Sequence, residues 1–448
     1  MRALLISTYD LGRQPFGLAS PAAWLRAEGV DVTCVDASRS PISDEHFASA
    51  SVIAFYLPMH TATRLAVPLI VRARQVNPDA RLCAYGLYAP LNAAWLRELG
   101  AEVLGPEAEQ DLVDLVKSHI PNLEPQRVPR LRFITPDRAG LPPLEDYASL
   151  RMPDGSRRVI GSTDATRGCK HLCRHCPIVP VYQGQFRVVP IEVVMADVRA
   201  QVAAGAQHIS FGDPDFLNGP THARHLIARM ATEFQGLSYD VTVKIEHLVQ
   251  QPEMIPLLRD TGCLFICSAV ESIDDAVLMH LQKGHTRSDF VKVARLCRDA
   301  DVTLVPTFVA FTPWTTLEGY VELLAQLEEL ELVEQVAPIQ LAIRLLVTAG
   351  SSLLELDDIG RVISPFDAVS LTWPWRHPDP RVDALQTAVM RLVGTASAVP
   401  RAETFSAIAA LAREHADLPA LPRRTSSRTP VPYVSEPWYC CAEPMETV

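Results

Sequence analysis

The sequence predicts an α/β protein throughout: a doubly wound parallel sheet, then a partial (β/α)6 barrel, then a helical region ending in a thiol-bearing tail. Three observations carry this reading. Residues 1–120 alternate strand-length apolar runs with amphipathic stretches, the pattern of a parallel sheet covered on both faces. The same alternation resumes over 158–350 with six strand candidates, enough for a partial barrel. Between them, 121–157 loses periodicity, and six prolines fall between residues 120 and 143, so this stretch reads as a linker.

In the first domain, strands are expected at 3–7, 31–36, 51–57, 81–86 and 101–104, with helices at 21–27, 61–76, 92–99 and 110–119. Ligands of such sheets sit at the carboxyl ends of the strands, which places the loops 8–20 and 86–90 on the ligand-facing edge. In the barrel, strands are expected at 159–163, 209–211, 240–245, 264–269, 303–308 and 339–346. The helices between them are expected at 191–204, 221–234, 252–260, 288–300 and 317–328. Helical periodicity at 379–393 and 402–414 marks 351–417 as a helical region. Residues 418–448 are rich in Pro, Ser and Arg, the composition of a flexible arm, yet the tip carries Trp438, Tyr439 and two adjacent thiols.

Composition narrows the function. The chain has 448 residues, 48 % of them hydrophobic, as in an ordinary globular protein of two or three domains. A formal charge of −11 and the lack of a long basic run argue against nucleic acid or an anionic membrane as main partner. The longest apolar stretches, such as 52–57 and 66–71, are far too short to span a bilayer. The amino terminus turns polar after one strand-length run, unlike a secretion signal, so the expected compartment is a reducing cytoplasm. There, ten cysteines read as metal ligands, reactive thiols or small core residues rather than disulfides.

Residues 167–177 read Arg-Gly-Cys-Lys-His-Leu-Cys-Arg-His-Cys-Pro, so Cys169, Cys173 and Cys176 follow the first barrel strand with C-x3-C-x2-C spacing. Ten cysteines scattered at random over this length give roughly 0.005 such triplets. A structural zinc site takes four protein ligands, and no further His or Cys pair follows at suitable spacing, which points to an iron–sulfur cluster. Three thiolates fix three irons of a [4Fe-4S] cluster and leave the fourth open to a chelating molecule. The pattern C-x3-C-x-Φ-C, with an aromatic at Φ, resembles the signature of the radical S-adenosylmethionine (SAM) superfamily. That resemblance implies a [4Fe-4S] cluster, SAM, a small-molecule substrate and an electron donor such as flavodoxin or ferredoxin. His175 stands at Φ, a position that packs near the SAM adenine in the family.

Three strand ends extend the resemblance. Residues 212–216, Gly-Asp-Pro-Asp-Phe, stand where the family carries a Gly-Gly-Glu-like segment that meets the SAM amino group. This implies a close approach at Gly212, with Asp213 as the ammonium partner and Asp215 in reserve. Residues 244–247, Lys-Ile-Glu-His, offer Glu246 to substrate, ribose or ammonium. Residues 268–272, Ser-Ala-Val-Glu-Ser, look like the family's G-x-E-S segment and offer Ser268 and Glu271 to SAM polar groups. Each carboxylate alone reads equally well as a solvated loop residue or a helix N-cap, but acids at three successive strand ends favour a site. Arg344, inside an apolar run, is either a bidentate carboxylate clamp or half of a structural ion pair.

A flavodoxin-like sheet ahead of such a barrel resembles the cobalamin-binding subgroup of the superfamily. Many cobalamin domains present Asp-x-His-x-x-Gly after the first strand; residues 9–17 here read Tyr-Asp-Leu-Gly-Arg-Gln-Pro-Phe-Gly, with no histidine. Both bound cobalamin and a degenerate sheet that shapes the substrate pocket remain open. The tail Cys440-Cys441-Ala-Glu-Pro444 is similar to the one that names the CUAEP/CCAEP-tail radical SAM proteins, where U is selenocysteine. This implies catalytic thiols at Cys440 and Cys441, holding a soft atom such as arsenic or selenium, quenching a radical or cycling through a disulfide. The layout also resembles radical SAM enzymes that transfer the 3-amino-3-carboxypropyl group of SAM to arsenic. The expected function is group transfer to a small molecule or soft heteroatom, with cobalamin-dependent methylation as the alternative. A non-enzymatic cluster-bearing redox sensor ranks third, disfavoured by the open coordination site and the row of acids.

Overall fold

Five short apolar runs pair in parallel to make the first sheet of the computed structural model, which describes residues 1–117, 128–395, 399–419 and 431–436. They are β1 (Arg2–Ser7), β2 (Asp31–Asp36), β3 (Val52–Tyr56), β4 (Arg81–Tyr85) and β5 (Glu102–Val103), in the order β2-β1-β3-β4-β5. Alternate residues enter two different cores: Leu4, Ile6, Ile53 and Phe55 on one face, Ala3, Leu5, Val52 and Ala54 on the other. Burial on both faces explains why these strands read as continuous apolar runs. The strand order reverses between β1 and β3, which makes their carboxyl ends the switch point of the sheet.

The first helix, Phe16–Ala27, starts earlier than the expected 21–27 and contains Pro21. Proline cannot donate to the carbonyl four residues back, here that of Gly17. The Tyr85 hydroxyl supplies the missing donor at 2.7 Å. A Cβ at Gly17 would lie 2.1 Å from the Tyr56 ring, so glycine lets β3 and this helix approach.

The second sheet begins with a hairpin, β6 (Ser149–Arg151) antiparallel to β7 (Arg157–Thr163). A small antiparallel pair, β8 (Thr166–Gly168) and β9 (Phe186–Val188), brackets the cysteine loop. Then follow β10 (His208–Phe211), β11 (Ser238–Thr242), β12 (Cys263–Glu271) and β13 (Thr303–Phe308), parallel to β7 and separated by helices. With β14 (Tyr433–Val434) the order is β13-β12-β11-β10-β7-β6-β14, a parallel-rich half-barrel. The large core cluster lies between these strands and their helices, and the helices Pro380–Thr395 and Arg401–His415 extend it.

Four sequence expectations are corrected. No strand forms at 339–346: Pro338–Leu341 is a 3-10 turn, the Gln340 carboxamide accepts from the Phe308 N–H, and only a single parallel bridge, Phe311 to Arg344, remains of the sixth unit. The strand expected to reach 245 stops at Thr242, because Ile245–Gln250 turns helical and carries Glu246 in its first turn. Part of the expected linker 121–157 is structural, since β6 adds to the barrel sheet. The arm expected from 418 onward contributes β14, paired antiparallel to β6. The catalytic assignments Cys440 and Cys441 lie outside the described residues. Among the described residues no helix is long and apolar enough to cross a membrane.

Candidate functional site

The cysteine loop is fixed at its root by local chemistry. Gly168 has φ +75°, and a Cβ there would come within 2.4 Å of the Tyr182 ring and 2.6 Å of the Gln185 carbonyl. Asn218 receives the Lys170 N–H and donates to the Gly168 carbonyl, at 3.3 and 3.4 Å. Within the loop the Cys176 N–H donates to the Cys173 carbonyl, and the Arg174 N–H to the Leu281 carbonyl. This brings Cys169, Cys173 and Cys176 together at the carboxyl ends of the barrel strands. Burial raises the Cys169 thiol and pushes that of Cys176 up to about 12.

Cations face these thiols. The Lys244 ammonium lies 3.8 Å from the Cys173 sulfur. Lys283 is buried, which opposes its charge, but Glu271 and the thiols of Cys173 and Cys176 outweigh that and raise it. Glu271 ends β12 in the left-handed region at φ +69°, just after a register shift against β13. That extra residue turns its carboxylate toward the loop, where it meets His175 Nε2 at 3.1 Å and Lys283 at 3.4 Å. Burial would raise this carboxyl, yet Lys283 and His175 hold it at about 2. His175 is thereby pinned by one nitrogen, while its Nδ1 has no partner among the described residues.

The other expected contacts divide. Asp213 faces the root of the loop: its oxygens accept from the Ala165 N–H at 2.9 Å and the Thr166 hydroxyl at 2.6 Å. Burial and then the neighbouring Asp164 charge push its carboxyl up to about 7. Asp213 is thus a brace, and the reserve Asp215 is the acid that meets the imidazoles. Gly212 packs closely against Asp164: a Cβ there would lie 2.4 Å from its carboxylate oxygen and displace that side chain. Ser268 is fully buried and donates to the Val243 carbonyl at 2.6 Å, so its hydroxyl ties β12 to the turn that follows β11. Glu246 stays partly open, 3.2 Å from Lys244 and 3.4 Å from His171 Nδ1. Arg344 is outside the site, bound to Asp383 at 2.6 Å and stacked 3.5 Å over the Trp375 ring, which resolves it as a structural pair.

Sequence reasoning missed Lys244, His171, His247, Lys283 and His285. Burial, then Lys283 and Lys244, holds the His285 imidazole down at about 4. The signal available was the run Lys283-Gly-His285 at the turn after the fourth barrel strand and its helix, on the edge where the other strand ends carry their acids.

The first sheet meets the loop through Arg167, one residue before Gly168. Its guanidinium donates to Glu109 at 2.6 Å and to Ser20 at 3.0 Å, and lies over the rings of Phe16 and Phe133. Nearby, burial pushes Glu107 up to about 7 and Asp164 to about 6, against the pull of Arg167. Beneath, Arg138 joins Asp197, Gln14 and the Ser162 carbonyl.

Residues 164–327 match the family model of the Radical SAM superfamily. The chain is 25 % identical over 250 residues to the ribosomal protein uS12 methylthiotransferase RimO of Chromobacterium violaceum, covering 51 % of this chain and 52 % of that protein. It thus spans about half the length of these curated relatives. Among solved structures, the fold is similar to the radical S-adenosylmethionine methyltransferase TsrM of Kitasatospora setae. There the TM-score is 0.59 and the identity 18 %, covering 74 % of this chain and 71 % of that one. The cobalamin-dependent S-adenosylmethionine radical enzyme OxsB gives a TM-score of 0.65 at 13 % identity, covering 88 % of this chain and 67 % of that one.

Proposed function

Because the chain belongs to the radical SAM superfamily through residues 164–327, we propose that it reductively cleaves SAM and transfers a group to a small molecule or soft heteroatom centre. The observation that carries this is the braced loop presenting Cys169, Cys173 and Cys176 at the strand ends, with Lys244 and Lys283 beside the thiols. The donor set fits a [4Fe-4S] cluster: three thiols on one loop, with ammonium groups placed to offset thiolate charge. When bound, the cluster supplies the electron that breaks a carbon–sulfur bond of the SAM sulfonium.

The chain's own residues hold and orient. Cys169, Cys173 and Cys176 would hold the cluster through their thiolates and leave it accessible to SAM. Glu271 fixes the ring of His175, which we assign to the adenine side of SAM. Glu246, open and at a helix amino end, is assigned to a polar group of SAM or substrate. Asp213, Gly212 and Ser268 act by holding the strand ends in place. A one-electron donor of the flavodoxin or ferredoxin type completes the system.

Cys440 and Cys441 are proposed as the thiols that hold the soft atom or close the turnover. In support, β14 runs antiparallel to β6, and so in the direction of β7, toward the edge bearing the cysteine loop. Glu436, just beyond it, accepts from the Tyr9 hydroxyl at 3.3 Å. Cobalamin-dependent methylation is the second reading, favoured by the order of sheet and barrel shared with OxsB and TsrM. The decisive experiment replaces Cys169, Cys173 and Cys176 with Ala. After anaerobic reconstitution this variant should lack the broad visible absorbance of the cluster and all SAM cleavage; retained cleavage sinks the proposal.

A further inference from the structure

Beside the cysteine loop, three side chains converge that neither the thiols nor the proposed SAM contacts use. His171 comes from the loop itself, Asp215 from the turn after β10, where it caps Phe216–Asn218, and His247 from the helix that follows β11. Asp215 is completely buried, His247 is 1 % exposed and His171 14 % exposed. His247 Nδ1 lies 2.8 Å from Asp215 Oδ2, His171 Nε2 lies 3.5 Å from the same oxygen, and the Nε2 atoms of the two imidazoles are 3.3 Å apart.

These contacts do not complete one another. Although they are close, the direction from His247 Nδ1 to Asp215 Oδ2 is wrong for a hydrogen bond, and both atoms are left without a hydrogen-bond partner among the described residues. Unsatisfied buried polar atoms are rare and call for an explanation, an ion being one. The second Asp215 oxygen is already committed to the Leu217 N–H at 3.2 Å, so Oδ2 is the free ligand atom. Around the trio, Glu246 lies 3.4 Å from His171 Nδ1, the carboxylate-behind-histidine arrangement that orients metal-bound imidazoles.

We propose that His171, Asp215 and His247 form a mononuclear site for a divalent first-row transition ion, separate from the three thiols. One ligand atom from each residue lies within 4.8 Å of the other two, the compass of a single ion. Two imidazoles and one carboxylate suit Fe(II) or Zn(II) and leave coordination positions open on the side of His171, where the site is accessible. The bound ion would present a Lewis-acidic anchor for an anionic or soft group beside the cysteine loop, where His171 is accessible.

The test uses the reconstituted holoenzyme and Zn(II) as probe. After chelator treatment and dialysis against micromolar free Zn(II), zinc and iron per chain are measured by mass spectrometry. The zinc environment is then read by X-ray absorption. The wild type should take up about one zinc with a shell of nitrogen and oxygen near 2.0–2.1 Å and no sulfur. H247A and D215N should lose that zinc while keeping their cluster iron, and E246Q should weaken it by about 10- to 100-fold. Asn at 215 can still cap the turn at Leu217, so folding is preserved. No zinc above background in the wild type, zinc retained by both variants, or sulfur in the first shell would each overturn the site.

Discussion

Replacing Arg167 with Met tests how the two halves of the protein are joined. The guanidinium is 10 % exposed and its partner Glu109 only 5 %, so their 2.6 Å contact is an interior ion pair. Removing one member of a buried pair costs about 3–5 kcal/mol, because the other charge stays buried without compensation. Here the loss is shared by Glu109, Asp164 at 3.8 Å and Glu107, all drawn on by the same cation. Glu107 and Asp164 are already pushed up to about 7 and 6, and without Arg167 they rise further. A carboxyl whose folded value lies above its unfolded one binds a proton on folding, so its contribution to stability falls as pH rises from about 4 toward the folded value. Below that value the neutral acids need no cation. The deficit of R167M in urea unfolding, measured anaerobically, should therefore be full near pH 8 and visibly smaller near pH 5.5. Adding E109Q should return roughly 1–3 kcal/mol at pH 8 by removing the stranded charge. A deficit below about 1 kcal/mol at pH 8, or one equal at both pH values, refutes the reasoning.

Gly168→Ala forces a side chain into the left-handed region and against Tyr182 and Gln185, so it should cost at least about 1–2 kcal/mol and lower the iron bound per chain. An unchanged melting temperature with full iron content would contradict that. The double change of Cys440 and Cys441 to Ala should leave iron per chain near normal and suppress product per SAM cleaved; normal product yield makes the tail incidental, and parallel loss of iron makes it structural.

Most helices and the parallel strands were legible because their signal is local: period and punctuation decide them. The sixth barrel strand was not, because a side-chain amide from Gln340 takes the backbone donor that a strand would have used. The thiol triplet was legible because spacing alone carries the chemistry. The acids were only half legible. That Asp213 and Asp215 end a strand follows from the sequence, but which of them braces the loop depends on the N–H of Ala165, distant along the chain. Glu271 reached its partners through one extra residue at a register shift, and nothing in Ser-Ala-Val-Glu-Ser announces a bulge. Arg344 could not be assigned without knowing that the helix Pro380–Thr395 brings Asp383 beneath it. Histidines 171 and 247 went unnoticed because a metal or anion site made from three elements has no sequence spacing.

If the first sheet binds cobalamin, its cobalt should carry no imidazole from this domain. The loop 8–20, the place of the lower ligand in many cobalamin domains, has no histidine. Of the histidines in the described part of the first sheet, His46 sits in the capping box of the helix Asp44–Ala48. His60, at the start of the helix that follows β3, is 2 % exposed, with Nε2 2.5 Å from the Ser370 carbonyl and its ring edge-on to Tyr88. Freeing that nitrogen for cobalt would break its contact with the half-buried Ser370 carbonyl, which joins the sheet to the segment 351–417, at a cost of about 1 kcal/mol. At the switch point itself the Tyr85 hydroxyl is committed to the Gly17 carbonyl and the Tyr56 ring packs against Gly17. Electron paramagnetic resonance of the protein with Co(II) cobalamin should therefore show no nitrogen superhyperfine splitting from a protein imidazole, and H60A should leave the spectrum unchanged. A splitting that disappears in H60A would show that the carbonyl contact yields to cobalt. Failure to bind any cobalamin would favour a sheet whose work is to hold Arg167 and the loop it precedes.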